Sequence, residues 1–504
     1  MMNKEKSIEA LLSIDKELVL LSHINGVLVW DQESTSEHGK EERAQQIGLI
    51  ERKIHEKATS DEMGEILTTL GASEEKKEGD ADLPIDIKAI IRHRYHALSK
   101  EKKLSSSFVQ HFSHTTSLAH ETWVKARRED NYSLFAPVLE EIVSLIREKS
   151  DLYGYEDDPY DPLLDNFEPG MKTSEVKLVF DQLEGDLVQI LERLRGRVEV
   201  EDSFLYQHYS EQKQELFSND VLQAMGFDFK RGKVGISTHP YTISLGADDI
   251  RITTRYSEPS VTSPLYSIIH EGGHALYEMG VSHGSLKGTV LANASSLAFH
   301  ESQSRLWENM IGRSRAFWKH FYKKFSTLFP TQLNGISEDQ FYRAVNKVSP
   351  SPIRVDADEV TYSLHIMLRF NLERALLSGT LEVKDLKEAW NEGMNKLLGI
   401  EVKSDRLGVL QDVHWSMGEF AYFPTYALGN LYAAQIYHTM EQAISIDSIV
   451  ESGDFSPIRH YLQENVYKWG ALLEPKPLLE KITKEALNPT YYKEYLTNKY
   501  IKER

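Results

Sequence analysis

The sequence lacks cysteine altogether, and proline is scarce, with 16 among 504 residues. The absence of thiols excludes disulfides and cysteine-ligated metal sites, and it favours a protein of the reducing cytoplasm. The scarcity of proline leaves long uninterrupted stretches that carry Leu, Ala, Glu, Lys and Arg at helical spacing. We predict helices across four such stretches, residues 1–83, 170–239, 265–329 and 353–423.

Long apolar runs are also missing. No segment approaches the roughly twenty apolar residues that a membrane-spanning helix needs, and charges interrupt the start of the chain where a signal peptide would have its apolar core. The formal net charge is −19, so the phosphates of a nucleic acid or an anionic membrane would repel the chain. We therefore expect a soluble cytoplasmic protein with neither a nucleic-acid nor a membrane partner.

A metal-binding pattern is present in the run His270-Glu271-Gly272-Gly273-His274. Four residues on an α-helix rise about 6 Å and turn about 40° beyond a full revolution, so both imidazoles project from one face toward one ion. The carboxylate of Glu271 lies about 100° round the helix, from where it can reach a water molecule beside the ion without ligating it. The pattern is typical of the zinc helix of a metallopeptidase.

The residues around this motif predict a helix independently. Ser263 and Pro264 supply an N-cap and a first-turn proline, and Gly280 stands where a helix would end. The adjacent glycines, Gly272 and Gly273, cost about 1 kcal/mol each relative to alanine inside a helix. We interpret them as room for a close neighbour, which is either a substrate backbone or a tightly crossing helix.

A catalytic zinc needs a third protein ligand, because such sites take three side chains and leave one position for water. Glu278 lies about 12 Å along the helix axis from His270, too far to share an ion. The remaining source is a second predicted helix over residues 293–311. Glu301 is the preferred ligand there, because two histidines and one glutamate form a common peptidase set, and His300 is the alternative.

A short segment before the metal helix departs from the helical pattern. Residues 239–245 and 249–256 alternate in polarity on either side of Gly246-Ala247-Asp248, which predicts a β-hairpin. The edge of this hairpin could align an extended peptide through main-chain hydrogen bonds, or the hairpin could only cover the core.

Further motifs are spread along the chain: Trp30-Asp31-Gln32-Glu33, Asp158-Pro159-Tyr160, His239-Pro240-Tyr241, His300-Glu301-Ser302-Gln303, Ile353-Arg354-Val355-Asp356, Gly408-Val409-Leu410-Gln411-Asp412-Val413-His414-Trp415 and Tyr422-Phe423-Pro424-Thr425-Tyr426. Together with the metal helix they resemble the M32 family of metallocarboxypeptidases, over most of the chain. Tyr160 and Tyr241 stand where that family usually has phenylalanine, and Met417 and Ala421 stand where it frequently has glycine.

The resemblance implies a mainly α, zincin-type body with a deep active-site groove, the small hairpin lying near the metal helix, and usually a homodimer. We expect one metallocarboxypeptidase domain over residues 1–504, in which the helices of about 1–170 form one groove wall and about 171–504 carry the zinc site. The resemblance also assigns metal binding to His270, His274 and Glu301, and the general base to Glu271.

An enzyme that cuts only at a free C-terminus must recognise that carboxylate, and arginine does so with two parallel hydrogen bonds. Arg354 is our candidate, and an ion pair with Asp356 or Asp358 is the alternative reading of this residue. We also assign substrate binding to His239 and Tyr241.

Two further side chains are candidates for the catalytic steps. We predict that Tyr426 donates its hydroxyl to the developing oxyanion, with His414 or His239 as alternative donors. Gln411 and Asp412 either orient the metal ligands or serve only the structure.

The predicted activity is zinc-dependent release of single residues from peptides with a free C-terminus, with Co²⁺ or Mn²⁺ as possible substitutes for Zn²⁺. A zinc endo-oligopeptidase is the nearest rival, since it shares the motif but does not need a cation for the terminal carboxylate. A non-catalytic helical protein with a structural zinc is the other, and against it stands Glu271, which structural ligation does not require.

Overall fold

The chain folds mainly into α-helices in a computed structural model that describes residues 3–34, 39–196, 199–282 and 284–502. Before the sheet the helices are Lys4–Ser34 (α1), Lys40–Ala58 (α2), Asp61–Thr69 (α3), Ile85–Glu101 (α4), Ser106–Glu129 (α5), Ala136–Tyr153 (α6), Asp161–Leu164 (α7), Thr173–Leu194 (α8) and Glu211–Met225 (α9). The sheet then interrupts the helices, and the rest of the chain is again helical.

After the sheet the helices are Thr262–Val281 (α10), Leu297–Arg305 (α11), Arg315–Leu328 (α12), Glu338–Val345 (α13), Tyr362–Ser378 (α14), Leu386–Leu398 (α15), Pro424–Glu441 (α16), Ile446–Ser452 (α17), Ser456–Asn465 (α18), Pro475–Thr483 (α19) and Thr490–Thr497 (α20). Two π-helical turns, Leu306–Ile311 and Asn498–Lys502, extend α11 and α20. The mainly α prediction is therefore confirmed.

The predicted helical stretches also include segments that are not helical, and two of these bear on the site. Residues 232–236 form a strand, although they lie within the stretch predicted to be helical up to residue 239. Residues 400–423 contain only short 3₁₀ turns, because Gly399 adopts a φ of +69° and ends α15. The strand depends on pairing with residues 250–254 and the second break on a single glycine, and composition alone marks neither.

A small three-stranded sheet lies beside the metal helix. It consists of Gly232–Ile236 (β1), Thr242–Ser244 (β2) and Ile250–Thr254 (β3) in the order β1-β3-β2. β2 and β3 pair antiparallel, as the predicted hairpin requires, with Thr242 opposite Ile252. β1 pairs parallel with β3 and adds a strand that the sequence pattern did not reveal.

The middle of the larger core is formed by helices that are buried on nearly every face. α10, α14 and α16 are of this kind, and α14 also buries the charged side chains of Arg369 and Glu373. A second, smaller cluster packs residues between Leu11 and Leu98 together with Leu286 and Leu291. The predicted division of the chain near residue 170 stays a prediction.

The helix that carries the metal motif differs at both ends from its predicted limits. It begins at Thr262, so Ser263 does not cap it and Pro264 lies in the first turn, where the missing N–H would have no helical partner. Gly280 lies inside the helix, which ends at Val281. A β-carbon at Gly280 would lie 2.5 Å from the ring of Tyr467, so close packing requires this glycine.

The second predicted helix also begins later than expected. α11 starts at Leu297 and is capped by Ser296, whose hydroxyl accepts from the backbone N–H of Phe299. Residues 293–295 precede the helix. Among the described residues, no helix is long and apolar enough to cross a membrane.

Candidate metal centre and active site

Three of the predicted site residues bring one donor atom each to a common point. The donor atoms of His270, His274 and Glu301 all lie within 4.8 Å of one another. Glu301 Oε2 is 3.5 Å from Nε2 of each histidine. α10 supplies both imidazoles and α11 crosses it to supply the carboxylate. Two imidazole nitrogens and one carboxylate oxygen are a donor set that catalytic zinc takes, so the three side chains fit a divalent ion.

The second nitrogen of each imidazole has a partner that orients the ring. His270 Nδ1 lies 2.9 Å from Glu308 Oε2, and His274 Nδ1 lies 3.0 Å from the backbone oxygen of His300. Both partners only accept hydrogen bonds, so each Nδ1 carries the proton. In the neutral rings, Nε2 then presents a lone pair toward Glu301, which is the arrangement that a bound cation requires.

The pKa values of the three converging side chains are shifted from their ordinary values. Burial opposes ionisation of Glu301, but Arg305 and the two histidines outweigh it and hold the pKa of Glu301 well below its usual range. Burial lowers the pKa of His274 to about 3, so this ring is neutral at ordinary pH. Burial also works against protonation of His270, but Glu301 and Glu308 prevail and raise its pKa. A bound cation would take the place of that proton.

Glu301 is held from three directions. Arg305 Nε donates to Glu301 Oε1 at 2.6 Å, and the hydroxyl of Ser304 donates to Oε2 at 3.0 Å. α16 passes so close that a β-carbon on Gly429 would lie 2.6 Å from Glu301 Cγ. The carboxylate therefore has little freedom to turn away from the histidines.

The two glycines of the motif allow helices to cross at contact distance. A β-carbon on Gly273 would lie 2.7 Å from the backbone oxygen of Gln303 and 2.8 Å from Ser304 Cα, both on α11. A β-carbon on Gly272 would meet side chains of α9. Of the two interpretations given to these glycines, the crossing helix is the one that the structure supports.

His300, the alternative ligand, points elsewhere. Its Nε2 lies 2.9 Å from Glu278 Oε1, and its ring stacks on that of His274 at 4.2 Å between centroids. His300 is therefore outside the group of three converging donors.

Replacing Gly273 by alanine is expected to destabilise the protein by about 2 kcal/mol, because the new methyl group would push against backbone atoms that cannot rotate away. The thermal unfolding midpoint should fall accordingly. Gly185→Ala on α8 is the matched control, since its β-carbon would meet nothing within 4 Å. A Gly273→Ala protein as stable as that control would contradict the close crossing.

Glu271 faces the sheet rather than the ligand pair. Its Oε2 accepts a hydrogen bond of 2.6 Å from the hydroxyl of Thr242 on β2. Burial raises the pKa of the Glu271 carboxyl, while His270 and Thr242 act in the opposite direction. Edge strand β2 thus fixes the position of the Glu271 side chain through Thr242.

Arg354 lies in a buried cluster of charges. Its Nε and one terminal nitrogen donate to Asp412 Oδ1 at 3.0 and 2.8 Å, and the other terminal nitrogen donates to Tyr362 at 3.2 Å. Neither Asp356 nor Asp358 is its partner, so the ion pair proposed for Arg354 exists with a different acid. The contacts among the described residues use three of the five N–H donors of the guanidinium.

Asp412 is shared between two arginines. Arg369 Nε donates to Asp412 Oδ2 at 2.7 Å, and Gln411 Oε1 accepts from Arg369 and from the backbone N–H of Arg354 at 2.8 Å each. These two residues thus orient arginines and not the three converging donors. With two cations facing it, the pKa of Asp412 is lowered well below its usual range despite its burial.

Arg354 is connected to the metal centre through aromatic and cationic side chains. The ring of Tyr362, whose hydroxyl accepts from Arg354, lies 4.5 Å beneath the guanidinium of Arg305, which in turn holds Glu301. Tyr426 lies 5.1 Å from the guanidinium of Arg354 on another side. Arg354 and the candidate ligand Glu301 therefore belong to one continuous cluster.

The remaining predicted site residues fall into two groups. Tyr426 and His414 are neighbours, with the tyrosine hydroxyl 3.5 Å from His414 Nε2. His239 is exposed and Tyr241 is half-buried on the sheet, where its ring meets the edge of Trp30 at 5.8 Å. Tyr241 directly precedes Thr242, so this second group lies on the side of Glu271, while the first lies with Arg354.

The loop between α15 and α16, which carries His414 and leads to Tyr426, is anchored by a buried acid. Glu373 on α14 accepts from Trp415 Nε1 at 2.8 Å, from the backbone N–H of Ala421 at 3.0 Å and from the hydroxyl of Tyr160 at 2.6 Å. Ala421 has a φ of +67°, a conformation that costs an L-residue about 1–2 kcal/mol. The anchor holds this strained turn in place.

Three residues of the centre were missed by the sequence reasoning. Arg305 follows Glu301 by four residues, a spacing that places them side by side on a helix and could have revealed the pair. Thr242 and Glu308 reach Glu271 and His270 from other elements. No local spacing signals either contact, because both depend on how separate segments pack.

Sequence and structure comparisons match nearly the full length of this chain to known carboxypeptidases. The sequence profile of the family described as Carboxypeptidase Taq (M32) metallopeptidase matches residues 10–500. Carboxypeptidase 1 of Bacillus subtilis is 37% identical over 487 residues, covering 96% of this chain and 95% of that protein. Thermostable carboxypeptidase 1 of Thermus thermophilus is 35% identical over 511 residues, covering 99% of each chain. The crystal structure of an M32 carboxypeptidase from Deinococcus radiodurans is similar with a TM-score of 0.94 and 36% identity, over 98% of this chain and 99% of that one.

Proposed function

The chain belongs to the M32 family of metallocarboxypeptidases and is a metal-dependent peptide hydrolase, and from this premise we propose that it releases single residues from free peptide C-termini with a zinc ion held by His270, His274 and Glu301. The observation that carries the proposal is the convergence of three lone-pair donors within 4.8 Å, with both histidine rings held by acceptors at Nδ1. The donor set favours zinc, and Co²⁺ or Mn²⁺ are possible substitutes.

When bound, such an ion supplies Lewis-acid polarisation of the scissile carbonyl and a lowered pKa for water. Glu271 acts as the general base: it takes a proton from the attacking water and returns it to the leaving amine. Its hydrogen bond to Thr242 keeps the carboxylate on the sheet side of the histidines. Because Glu271 is buried, bulk solvent does not compete for its carboxylate, which favours proton transfer from a water that enters the site.

Arg354 is the group that recognises the terminal carboxylate. Its position 3.2 Å from Tyr362 links it to the centre, and Asp412 fixes the plane of the guanidinium. A fixed guanidinium with donors to spare suits bidentate recognition. Tyr426 and His414 stand beside it to donate to the oxyanion. Burial raises the pKa of Tyr426 well above its ordinary value, so its proton is available for donation.

His239 and Tyr241 complete the proposal from the sheet side. The exposed imidazole and the half-buried phenol lie just before the strand that bears Thr242. We assign them contacts with substrate residues on the Glu271 side of the scissile bond.

A peptide digest tests the proposal. Incubation of a free-acid peptide should yield a ladder of products that are each one residue shorter, read by mass spectrometry. The same peptide with an amidated C-terminus should be cleaved at least about 10-fold more slowly, because a charge-assisted hydrogen bond contributes about 1.5–3 kcal/mol. Internal fragments formed equally from both peptides would identify the zinc endo-oligopeptidase instead, and intact peptide in the presence of zinc would indicate a structural metal.

Assembly as a homodimer and residence in the cytoplasm are also proposed. The first is drawn from the family, and the second is supported by the absence of cysteine from a chain of this length.

A further inference from the structure

A π-helical turn carries the carboxylate that orients His270. α11 ends at Arg305, and the chain continues as the π-turn Leu306–Ile311. Such turns are rare in helices and occur frequently at functional sites. Glu308 in this turn lies 2.9 Å from His270 Nδ1 through its Oε2, and its Oε1 lies 3.3 Å from Arg313. The rotation of the His270 ring therefore depends on where the π-turn places Glu308.

The end of the chain holds the same π-turn from the other side. The backbone oxygen of Asn309, one residue after Glu308, accepts hydrogen bonds of 3.0 Å from Lys499 Nζ and from the hydroxyl of Tyr495. Lys499 belongs to the second π-turn, Asn498–Lys502, and also donates to the Tyr495 hydroxyl at 2.9 Å. Two π-turns far apart in sequence are thus joined at one carbonyl group.

Lys499 carries its charge into the core to make this contact. Only 6% of the residue is exposed, and its counter-charge is Glu359 at 2.7 Å, itself 8% exposed. Glu359 accepts further hydrogen bonds from the hydroxyls of Tyr500, through Oε2 at 2.8 Å, and of Tyr492, through its backbone oxygen at 2.9 Å. Burying an ion pair contributes little net stability, and its best-attested use is to specify one geometry over others.

We propose that Lys499 and Tyr495 are positioning residues of the metal centre. They fix the Asn309 carbonyl, the π-turn then fixes Glu308, and Glu308 holds the His270 ring with Nε2 directed at the ion. The inference rests on the proposed function, since it takes His270 as a ligand. Residues 495–499 thus contribute to metal affinity, although they lie far along the chain from the metal motif.

The test is the zinc Kd of the full-length protein, measured by competition with a chromophoric chelator. Lys499→Met should weaken zinc binding by about 10-fold, the lower end of what loss of an outer-shell partner of a ligand causes. Tyr495→Phe keeps the ring and the lysine and should weaken binding in the same direction by less. Lys493→Met is the matched control, because Lys493 lies on the same helix but pairs with Asp186 at 2.7 Å. Its zinc Kd should equal that of the wild type.

Repeating Lys499→Met in a protein already changed at Glu308 distinguishes an effect on ligand position from a general loss of stability. A Glu308→Ala protein has no side-chain link between the π-turn and His270 Nδ1, so adding Lys499→Met should change its zinc Kd no further, although the thermal midpoint should still fall. Equal weakening in both backgrounds, or an unchanged Kd in Tyr495→Phe and Lys499→Met, overturns the inference. If Lys499→Met fails to fold, Tyr495→Phe alone decides between these results. Wild-type protein that binds no zinc at all would instead refute the proposed function.

Discussion

Glutamine in place of Glu271 is expected to lower kcat by about 10²–10⁴-fold, the range that general acid–base groups contribute. The amide keeps the size of the side chain and can still accept from the Thr242 hydroxyl, which now donates to Glu271 Oε2 at 2.6 Å. It cannot take a proton from water. Because Glu271 is not among the three converging donors, the variant should retain a full complement of zinc.

The measurement is kcat on a free-acid peptide together with elemental analysis of the purified protein. Glu441→Gln is a suitable control, since Glu441 lies twelve residues beyond Gly429 on α16, or about 18 Å along the helix. Its kcat should match that of the wild type. Loss of zinc in parallel with loss of activity would mean that Glu271 serves the metal site and not proton transfer.

Methionine in place of Arg354 is expected to lower kcat/KM on free-acid peptides by about 100-fold, because two charge-assisted hydrogen bonds to the terminal carboxylate would be lost, worth about 3 kcal/mol or more. The same variant should cleave an amidated peptide nearly as well as the wild type does. Arg369 would still neutralise Asp412, since it donates to the other carboxylate oxygen at 2.7 Å. The preference for a free acid should therefore almost disappear.

The ratio between the two peptides makes this result specific. A variant that is merely less stable would lose activity on both substrates in proportion. Arg374→Met offers a matched control on α14, because Arg374 pairs with Asp158 at 2.7 Å instead of joining the Asp412 cluster. If Arg354→Met kept the wild-type preference for a free acid, the carboxylate would have to be recognised elsewhere.

Glu301 and Arg354 differ in how much of their surroundings could be predicted from the sequence. Glu301 was found by elimination, because ligand chemistry and helix geometry left few positions that could complete the set. For Arg354 the sequence left open substrate recognition or an ion pair with Asp356 or Asp358, and the ion pair that the structure shows is with Asp412. Asp412 lies 58 residues away in sequence, whereas Asp356 and Asp358 follow the arginine by two and four residues, so sequence proximity favoured the wrong acids.

For the paired glycines of the motif, the sequence predicted a close contact but did not identify the neighbour. Their cost in a helix indicated that something approaches closely, but the identity of the neighbour stayed open between a substrate and another helix. Only the packed structure places Gln303 and Ser304 of α11 against Gly273. The strand Gly232–Ile236 was missed for a related reason, because its pairing with β3 is parallel and leaves no turn signal between the two.

The sequence by itself determined the mainly α class, the hairpin beside the metal helix and the imidazole pair with its adjacent carboxylate. Each of these depends on the spacing of side chains within one segment, because helices and strands repeat their side-chain directions every 3.6 and 2 residues. The tertiary structure alone decided which groups of other segments meet these side chains: Glu308 at His270, the backbone oxygen of His300 at His274, and Thr242 at Glu271. These contacts join separate segments by packing and charge, and no local spacing encodes the way distant segments meet.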